Sequence, residues 1–433
     1  MTAASLTIVV PSHNRPAFLQ RTLEHYGNGP YHCVIVDSSA DPIVFDAAAY
    51  PCVDYRHRPG VPFATKLHEC LLTVDTPYVV LSADDDMIRL DALAECVAFL
   101  DSHPGHSSVH GHFLFFLRSP NRVWGLRAYW ARHDWQVAQD DPRDRQLHLM
   151  SNYMHQMYAV QRTPLLRRAY GMMDGRLHNS ELMEFVVGLS VTAGGRHRTL
   201  PIFYQARQDI LDSWSRSLGT GYPNLRQLYQ DGADPQQYEQ FLDICAEILQ
   251  ETAGMEREGG RRHAIRCVEA YLANEEDLIR QMAEPGVFHR DLMRIETEAA
   301  FWPDWGDEAL RDIAAMAHLA WKHEGCGLDA AILDEFTGLD ASRPIYIYGT
   351  GGAGRALAAR LDGLGLSVAG YIDSFHGGTV EGRPCLTVQE YRAVHRPDDM
   401  VLIASCMHGE IRRTLEEAGI INYRVAYFRA MLP

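Results

Sequence analysis

The feature that most constrains this chain is a buried-type apolar run that breaks off into acid. Tyr78-Val79-Val80-Leu81 is followed at once by Ser82-Ala83-Asp84-Asp85-Asp86. Four apolar residues in a row suit a strand covered on both faces. Two similar runs precede it, Leu6-Thr7-Ile8-Val9-Val10 and Cys33-Val34-Ile35-Val36-Asp37. Helical patterns lie between and after them. Pro16 suits a first helical turn ahead of Phe18, Leu19, Thr22 and Leu23, residues 62–74 look helical, and Leu90, Leu93, Ala94, Val97 and Leu100 share one side of a further helix. Strand–helix alternation of this kind predicts a parallel α/β sheet with helices on both faces. In such sheets ligands collect at the carboxyl ends of the strands, which is where Asp37 and Asp84 to Asp86 fall.

At 433 residues the chain is too long for one ordinary core. We divide it into an N-terminal α/β domain over 1–222, a mostly helical connecting region over 223–340 and a second, Rossmann-like α/β domain over 341–433. Val109 to Leu117 and Leu200 to Tyr204 read as strands, and Ala264 to Met282 and Glu308 to Lys322 as helices. The second α/β pattern starts at Ile345-Tyr346-Ile347-Tyr348 and continues with Val368-Ala369-Gly370-Tyr371-Ile372-Asp373 and Met400-Val401-Leu402-Ile403-Ala404.

Charge narrows the function. The formal net charge is −16, with no basic tract, so nucleic acid is not an expected partner. An acidic chain that handles phosphates must do so locally, through a divalent cation, backbone N–H groups or a few placed Arg and Lys. The nine cysteines form no Cys-x-x-Cys pair and fit buried reduced thiols. No secretory signal and no membrane-length apolar stretch is seen. The expected location is the cytoplasm, with peripheral contact at the inner face of the membrane if the substrate is lipid-borne.

Three adjacent carboxylates repel one another, and a bound cation would offset that. The competing reading is a solvated turn that caps the helix near Leu90. The wider pattern favours the cation. Val9-Val10-Pro11-Ser12-His13-Asn14-Arg15, then Val34-Ile35-Val36-Asp37-Ser38-Ser39, then Val79-Val80-Leu81-Ser82-Ala83-Asp84-Asp85-Asp86 resemble, in order and spacing, family 2 glycosyltransferases of the GT-A fold. The resemblance covers about the first 220 residues. It implies that Pro11, Ser12, Asn14 and Arg15 line the nucleotide and that Asp37 contacts the base, often uracil. It implies that Asp84 and Asp86 are the DxD pair holding Mn²⁺ or Mg²⁺ and the sugar diphosphate, with Asp85 beside them. Lys66 falls where relatives carry an Arg-Asn-type ending, and departs from it.

An inverting transfer also needs a carboxylate that takes the acceptor proton. The resemblance puts it near a helix start, here Asn179-Ser180-Glu181-Leu182-Met183-Glu184. This chain lacks the usual Glu-Asp there. Glu181 and Glu184 share a helix face, and Glu181 is the preferred base; the equal competing reading is that both only decorate a helix N-terminus. Arg207, in Phe203-Tyr204-Gln205-Ala206-Arg207, is a candidate for bidentate contact with the diphosphate, followed by the Asp212 to Ser217 loop; the competing and favoured reading is a surface Arg near a packed Trp214. His110, His112, His155 and His178 lack metal-ligand spacing and fit structural or acceptor-lining roles.

Gly349-Thr350-Gly351-Gly352-Ala353-Gly354 completes a G-x-G-x-x-G between a strand and a helix, and Asp373 ends the next strand. Gly349, Gly351, Gly354 and Asp373 are therefore candidate nucleotide-binding residues. The surrounding sequence resembles the nucleotide-sugar-binding domain of bacterial sugar acetyltransferases. Glycine used only for tight strand–helix packing is the competing reading.

The expected function is metal-dependent, inverting transfer of a sugar from a nucleoside-diphosphate sugar, a UDP-sugar favoured, to a hydroxyl on a glycan or lipid-linked acceptor in bacterial surface glycan synthesis. The alternatives are a non-catalytic nucleotide-sugar sensor or scaffold, and a transferase of another nucleotide-activated group.

Overall fold

The computed structural model describes residues 5–121, 123–127, 134–208, 222–282, 292–294, 329–405 and 407–427, with a scatter of positions between 311 and 322. The chain forms two compact units, one of residues 1–115, 127–277 and 302–326, the other of 116–126, 278–301 and 327–433.

In the first unit the elements run β1 (Leu6–Ser12), α1 (Pro16–Tyr26), β2 (His32–Asp37), β3 (Val53–His57), α2 (Phe63–Leu72), β4 (Tyr78–Leu81), β5 (Asp86–Ile88), α3 (Leu90–Ser102) and β6 (His106–Arg118). After β7 (Val123–Arg127), which lies mostly in the second unit, come β8 (Gln136–Val137), α4 (Pro142–Ser151), β9 (Val160–Arg162), α5 (Thr163–Met173), α6 (Ser180–Gly194), β10 (Arg196–Gln208), α7 (Pro235–Ala253) and α8 (Arg257–Met282).

The apolar runs become the centre of the sheet. Its order is β6-β9-β4-β1-β2-β3. β1 pairs in parallel with β2 and β4, and β2 with β3. β9 is antiparallel to both β4 and β6. The register sets Ser12 beside Asp37 at the carboxyl ends of β1 and β2. β10 returns antiparallel to β5 and places Arg207 opposite Asp86. Both faces of the sheet are covered, as the unbroken apolar runs require. One core gathers Ile8, Val10, Leu19, Leu23, Leu93 and Val97, and the other gathers Val9, Val34, Leu67, Leu166 and Phe185. The second core continues into α7 and α8 through Phe241, Ile248 and Val268.

In the second unit β7 pairs antiparallel with β11 (Leu292–Arg294). Its other elements are β12 (Ile345–Tyr348), α9 (Gly352–Gly363), β13 (Val368–Asp373), β14 (Gly378–Val380), β15 (Arg383–Thr387), α10 (Val388–Val394), β16 (Met400–Ile403), α11 (His408–Glu417) and β17 (Tyr423–Val425). The sheet order is β14-β15-β13-β12-β16-β17. From β15 to β17 all pairs are parallel, with the first strand in the middle. This is the doubly wound arrangement, and its topological switch point lies at the carboxyl end of β12, where the glycine turn begins.

Among the described residues, no helix is long and apolar enough to cross a membrane. The seven described cysteines are all unpaired, and six of them are buried.

Candidate active site

The acid run turns sharply at the carboxyl end of β4. Asp84, Asp85 and Asp86 are all buried. They do not cap α3, whose cap position is Arg89 with no side-chain cap bond. The turn is instead gripped by one face of α1. Arg21 Nη2 donates to the Asp85 carbonyl at 2.6 Å and Thr22 Oγ1 to that of Asp84 at 3.3 Å. His25 Nε2 donates to the Ile88 carbonyl at 2.8 Å. Tyr26 Oη accepts the Ile88 N–H at 2.8 Å and lies 2.9 Å from Ser82 Oγ. Helical spacing puts residues 18, 21, 22, 25 and 26 on a single face. Arg21, only 1% exposed, is the signal that sequence reading missed: a charged residue on a buried helix face needs a partner.

The acid side chains have separate partners. Ser12 Oγ donates to Asp84 Oδ2 at 2.6 Å, and Arg15 Nη1 bridges Asp84 Oδ1 at 2.7 Å and Asp85 Oδ2 at 2.8 Å. Burial would lower the Arg15 pKa, but these two anions raise it overall. Asp86 accepts Gln205 Nε2 at 2.9 Å and the Gln208 N–H at 3.1 Å, with Arg207 Nε at 3.5 Å. Burial, then repulsion from Asp85, raises Asp84 above the usual carboxylate range and pushes Asp86 to about 8.

A divalent cation fits this donor set. The three carboxylates are buried side by side, and burial and mutual repulsion disfavour their charged forms, a cost that a bound cation would offset. Each oxygen of Asp84 accepts one protein donor, and a carboxylate oxygen offers more than one acceptor direction. Among the described residues no three His, Cys, Asp or Glu side chains gather to form a cage. Magnesium-type ions commonly take one or two carboxylates and complete their shell with water and substrate phosphate.

Around the turn, Lys66 is buried and donates to the Ser12 carbonyl at 2.6 Å and to Ser38 Oγ at 2.9 Å. Burial lowers its pKa to about 8. Asp37 is fully buried, and its carboxylate accepts the Ser39 N–H at 2.9 Å and Tyr55 Oη at 2.7 Å. Its side chain therefore fastens the β2 end to β3. Asn14 takes a left-handed backbone, φ 55°, and its N–H donates to Ser39 Oγ at 2.7 Å. Asparagine tolerates that conformation better than most residues. Asn14 lines a cavity of about 580 Å³ with Pro16, Gln20, Ser39, Asp41 and Ile43. Pro11 is the residue of β1 that pairs with Val36.

The two glutamates differ. Asn179 caps α6 by accepting the N–H groups of Glu181 and Leu182 at 3.0 and 3.1 Å. Glu181 Oε2 accepts the Leu225 N–H at 2.9 Å, and burial pushes its pKa up to about 7. Glu184 accepts Tyr153 Oη and, at 2.9 Å, His155 Nε2. His155 stacks on Tyr158 with centroids 4.9 Å apart and planes 7° from parallel. Tyr158 in turn lies 4.9 Å from the Arg207 guanidinium, which faces Asp86. A chain of contacts thus leads from the acid turn to Glu184. His155 and Tyr158 carry no spacing signal that would join them to the acids. The Asp212 to Ser217 loop lies outside the described residues.

In the second unit, Gly349 has φ 120°, and a Cβ there would stand 2.9 Å from the Ala404 carbonyl. A Cβ on Gly354 would fall 1.9 Å from the Gly349 carbonyl. These two glycines are required by the turn itself. A Cβ on Gly351 or Gly352 would meet nothing within 4 Å. The Asp373 carboxylate accepts Thr350 Oγ1 at 2.8 Å and the N–H groups of Phe375 and His376 at 2.9 and 3.1 Å. It ties the glycine turn to the end of β13.

Residues 7–165 match the Glycosyl transferase family 2 model. This stretch is a glycosyltransferase domain, and the N-terminal sheet is of the GT-A type. No curated protein matches the chain in sequence. Solved structures similar to it include S. aureus TarS, at 12% identity over 63% of this chain and 55% of that one, with a TM-score of 0.35. The chain thus spans little more than half the length of that protein. TarS 1-349 in complex with UDP-GlcNAc is 13% identical over 64% of this chain and 91% of that one, with a TM-score of 0.36. The mannosyltransferase PcManGT from Pyrobaculum calidifontis, in complex with GDP-Man and Mn²⁺, is 18% identical over 73% and 80%, with a TM-score of 0.34.

Proposed function

We propose that the protein moves a sugar from a nucleoside-diphosphate sugar, a UDP-sugar favoured, to a hydroxyl of a glycan or lipid-linked acceptor, with inversion, in bacterial surface glycan synthesis. The observation that carries this is the acid turn at the carboxyl end of β4, inside a family 2 domain, with Ser12, Arg15 and Arg207 converging on it. The roles assigned to single residues are part of the proposal.

Asp84 and Asp86 would hold Mn²⁺ or Mg²⁺. When bound, the ion offsets the charge that grows on the leaving diphosphate. Arg15, Arg207 and Lys66 supply further positive charge beside it. Pro11, Ser12 and Asn14 shape the nucleotide side, with Asp37 holding the β2 end against β3. Glu184 takes the proton of the acceptor hydroxyl. The hydroxyl oxygen bonds to the anomeric carbon, and the carbon–oxygen bond to the diphosphate breaks with its electron pair leaving on the phosphate oxygen. Glu184 is preferred to Glu181 because its contacts lead through His155 and Tyr158 to Arg207 and Asp86, whereas Glu181 contacts the Leu225 N–H. The acid turn serves the first domain. For the second, Gly349, Gly351, Gly354 and Asp373 would form a separate nucleotide site, at which the open backbone of Gly351 lets a phosphate approach.

The test is slow release of nucleoside diphosphate from a panel of nucleotide sugars with Mn²⁺, water acting as acceptor. Release from at least one donor, lost in Asp86→Ala, is expected. No release from any donor, with nucleotide binding unchanged in Asp86→Ala, overturns the reading in favour of a sensor or scaffold.

A further inference from the structure

We propose that Tyr153 and His155 are positioning residues that hold Glu184 in the orientation and ionised form needed to accept the acceptor proton. The proposal rests on the transfer reading above and concerns the same site.

Glu184 is gripped at both carboxylate oxygens. Tyr153 Oη donates to Oε1 and His155 Nε2 to Oε2. Both donors come from the short segment between α4 and β9, and Glu184 comes from α6. The Glu184 side chain keeps 23% of its exposure. Holding a partly exposed glutamate at both oxygens costs rotamer freedom. A fixed carboxylate with one face open is what a proton acceptor requires.

The histidine's tautomer follows from the same contact. A carboxylate only accepts, so the neutral ring carries its hydrogen on Nε2. Nδ1 is then a bare acceptor, and it is buried with no hydrogen-bond partner. Burial keeps the ring neutral by lowering its pKa, against the pull of Glu184, and Arg207 adds to the lowering. The ring is also fixed in plane by its stack on Tyr158, which lies beside Arg207. Glu184 therefore has a set position relative to the Asp86–Arg207 pair.

Other groups also act on Glu184. Glu181 of α6 repels it, Arg207 of β10 attracts it, and Tyr158 and Tyr170 of α5 share its surroundings. Burial acts to raise Glu184, and the hydrogen bonds from His155 and Tyr153, with the Arg207 charge, act to lower it.

The experiment measures UDP release from the active UDP-sugar, with Mn²⁺ saturating, as a function of pH in the full chain. The variants are His155→Ala, His155→Gln and Tyr153→Phe. Glutamine retains an Nε2 donor and so serves as the rescue. In His155→Ala, kcat is expected to fall about tenfold and the acid limb of the profile to move up by about one pH unit, with KM for the donor within about twofold. Tyr153→Phe should move the limb in the same direction, and His155→Gln should return most of the loss. Equal losses in His155→Ala and His155→Gln with an unmoved acid limb overturn the proposal, as does a change confined to KM. If His155→Ala does not fold, Tyr153→Phe decides on the same criterion. A wild-type chain that releases no nucleoside diphosphate from any donor overturns the transfer reading, and this proposal with it.

Discussion

Asp86 and Arg207 stand opposite each other in the β5–β10 register, and their side chains meet at 3.5 Å. Arg207 is also flanked by Tyr158 at 4.9 Å and Phe115 at 5.3 Å. Its guanidinium thus lies against both rings while its Nε faces Asp86 of the acid turn. We expect Arg207→Ala to lower kcat/KM for the donor by about 10- to 100-fold, and Arg207→Lys to recover little, because a point charge cannot replace a stacked planar one. Steady-state kinetics of UDP release checks this.

Chelation tests the acid pair. EDTA should reduce UDP release by at least about 100-fold, and Mn²⁺ should restore it. Asp86→Asn should not be restored by added Mn²⁺, since an amide oxygen is a far poorer ligand for a hard dication. Calorimetric titration of Mn²⁺ in the presence of UDP provides a second readout.

Glu181 yields a pH prediction. Burial raises its pKa from the ordinary 4.5 to about 7. Folding thus favours the protonated acid, so its contribution to stability is complete below about pH 4.5 and is lost as pH rises through 7. Glu181→Gln keeps an acceptor for the Leu225 N–H and removes the titration. The variant should be more stable than wild type at pH 8, by at most roughly 3 kcal/mol, and little changed at pH 5. Urea denaturation at the two pH values measures it.

The glycine turn of the second unit separates fold from binding. Gly354→Ala forces a Cβ against the Gly349 carbonyl and should destabilise that unit by about 1–3 kcal/mol. Gly351→Ala meets open space and should cost less than about 1 kcal/mol. A nucleotide-induced rise in melting temperature that Gly351→Ala removes would mark a ligand site. The same rise in both wild type and Gly351→Ala would leave the turn as packing alone.

The strands were legible because their apolar runs are unbroken. Val79-Val80-Leu81 and Val34-Ile35-Val36, short and rich in β-branched residues, suit strands of a covered parallel sheet, which puts the acids at the strand ends. What pairs with those acids was less readable. The motif marks Ser12 and Arg15 as nucleotide-lining residues and does not encode their bonds to the acids. Arg21 is hidden in the apolar face of α1, and Gln205 and Gln208 reach Asp86 across a strand pair spanning about 120 residues of sequence. Glu181 and Glu184 were found together, but their difference depends on Tyr153, His155 and Leu225, which belong to other elements and leave no periodic trace. The resemblance gives Asp37 a contact with the base. The structure shows its carboxylate engaged by Ser39 and Tyr55, a consequence of cross-strand packing that its motif does not encode.

The grip of α1 on residues 82–88 has a thermodynamic side. The carbonyls of Asp84, Asp85 and Ile88 are tied to a helix, and Asp86 to β10. The turn has its shape before any donor arrives. Little ordering entropy then remains to be lost on binding, so a small set of contacts translates more fully into affinity. On the proposed reading, the groups around the acid turn need not reorganise while the bond to the diphosphate breaks. Loosening Tyr26 or Arg21, which are bonded to the backbone of the turn, would therefore slow the proposed transfer.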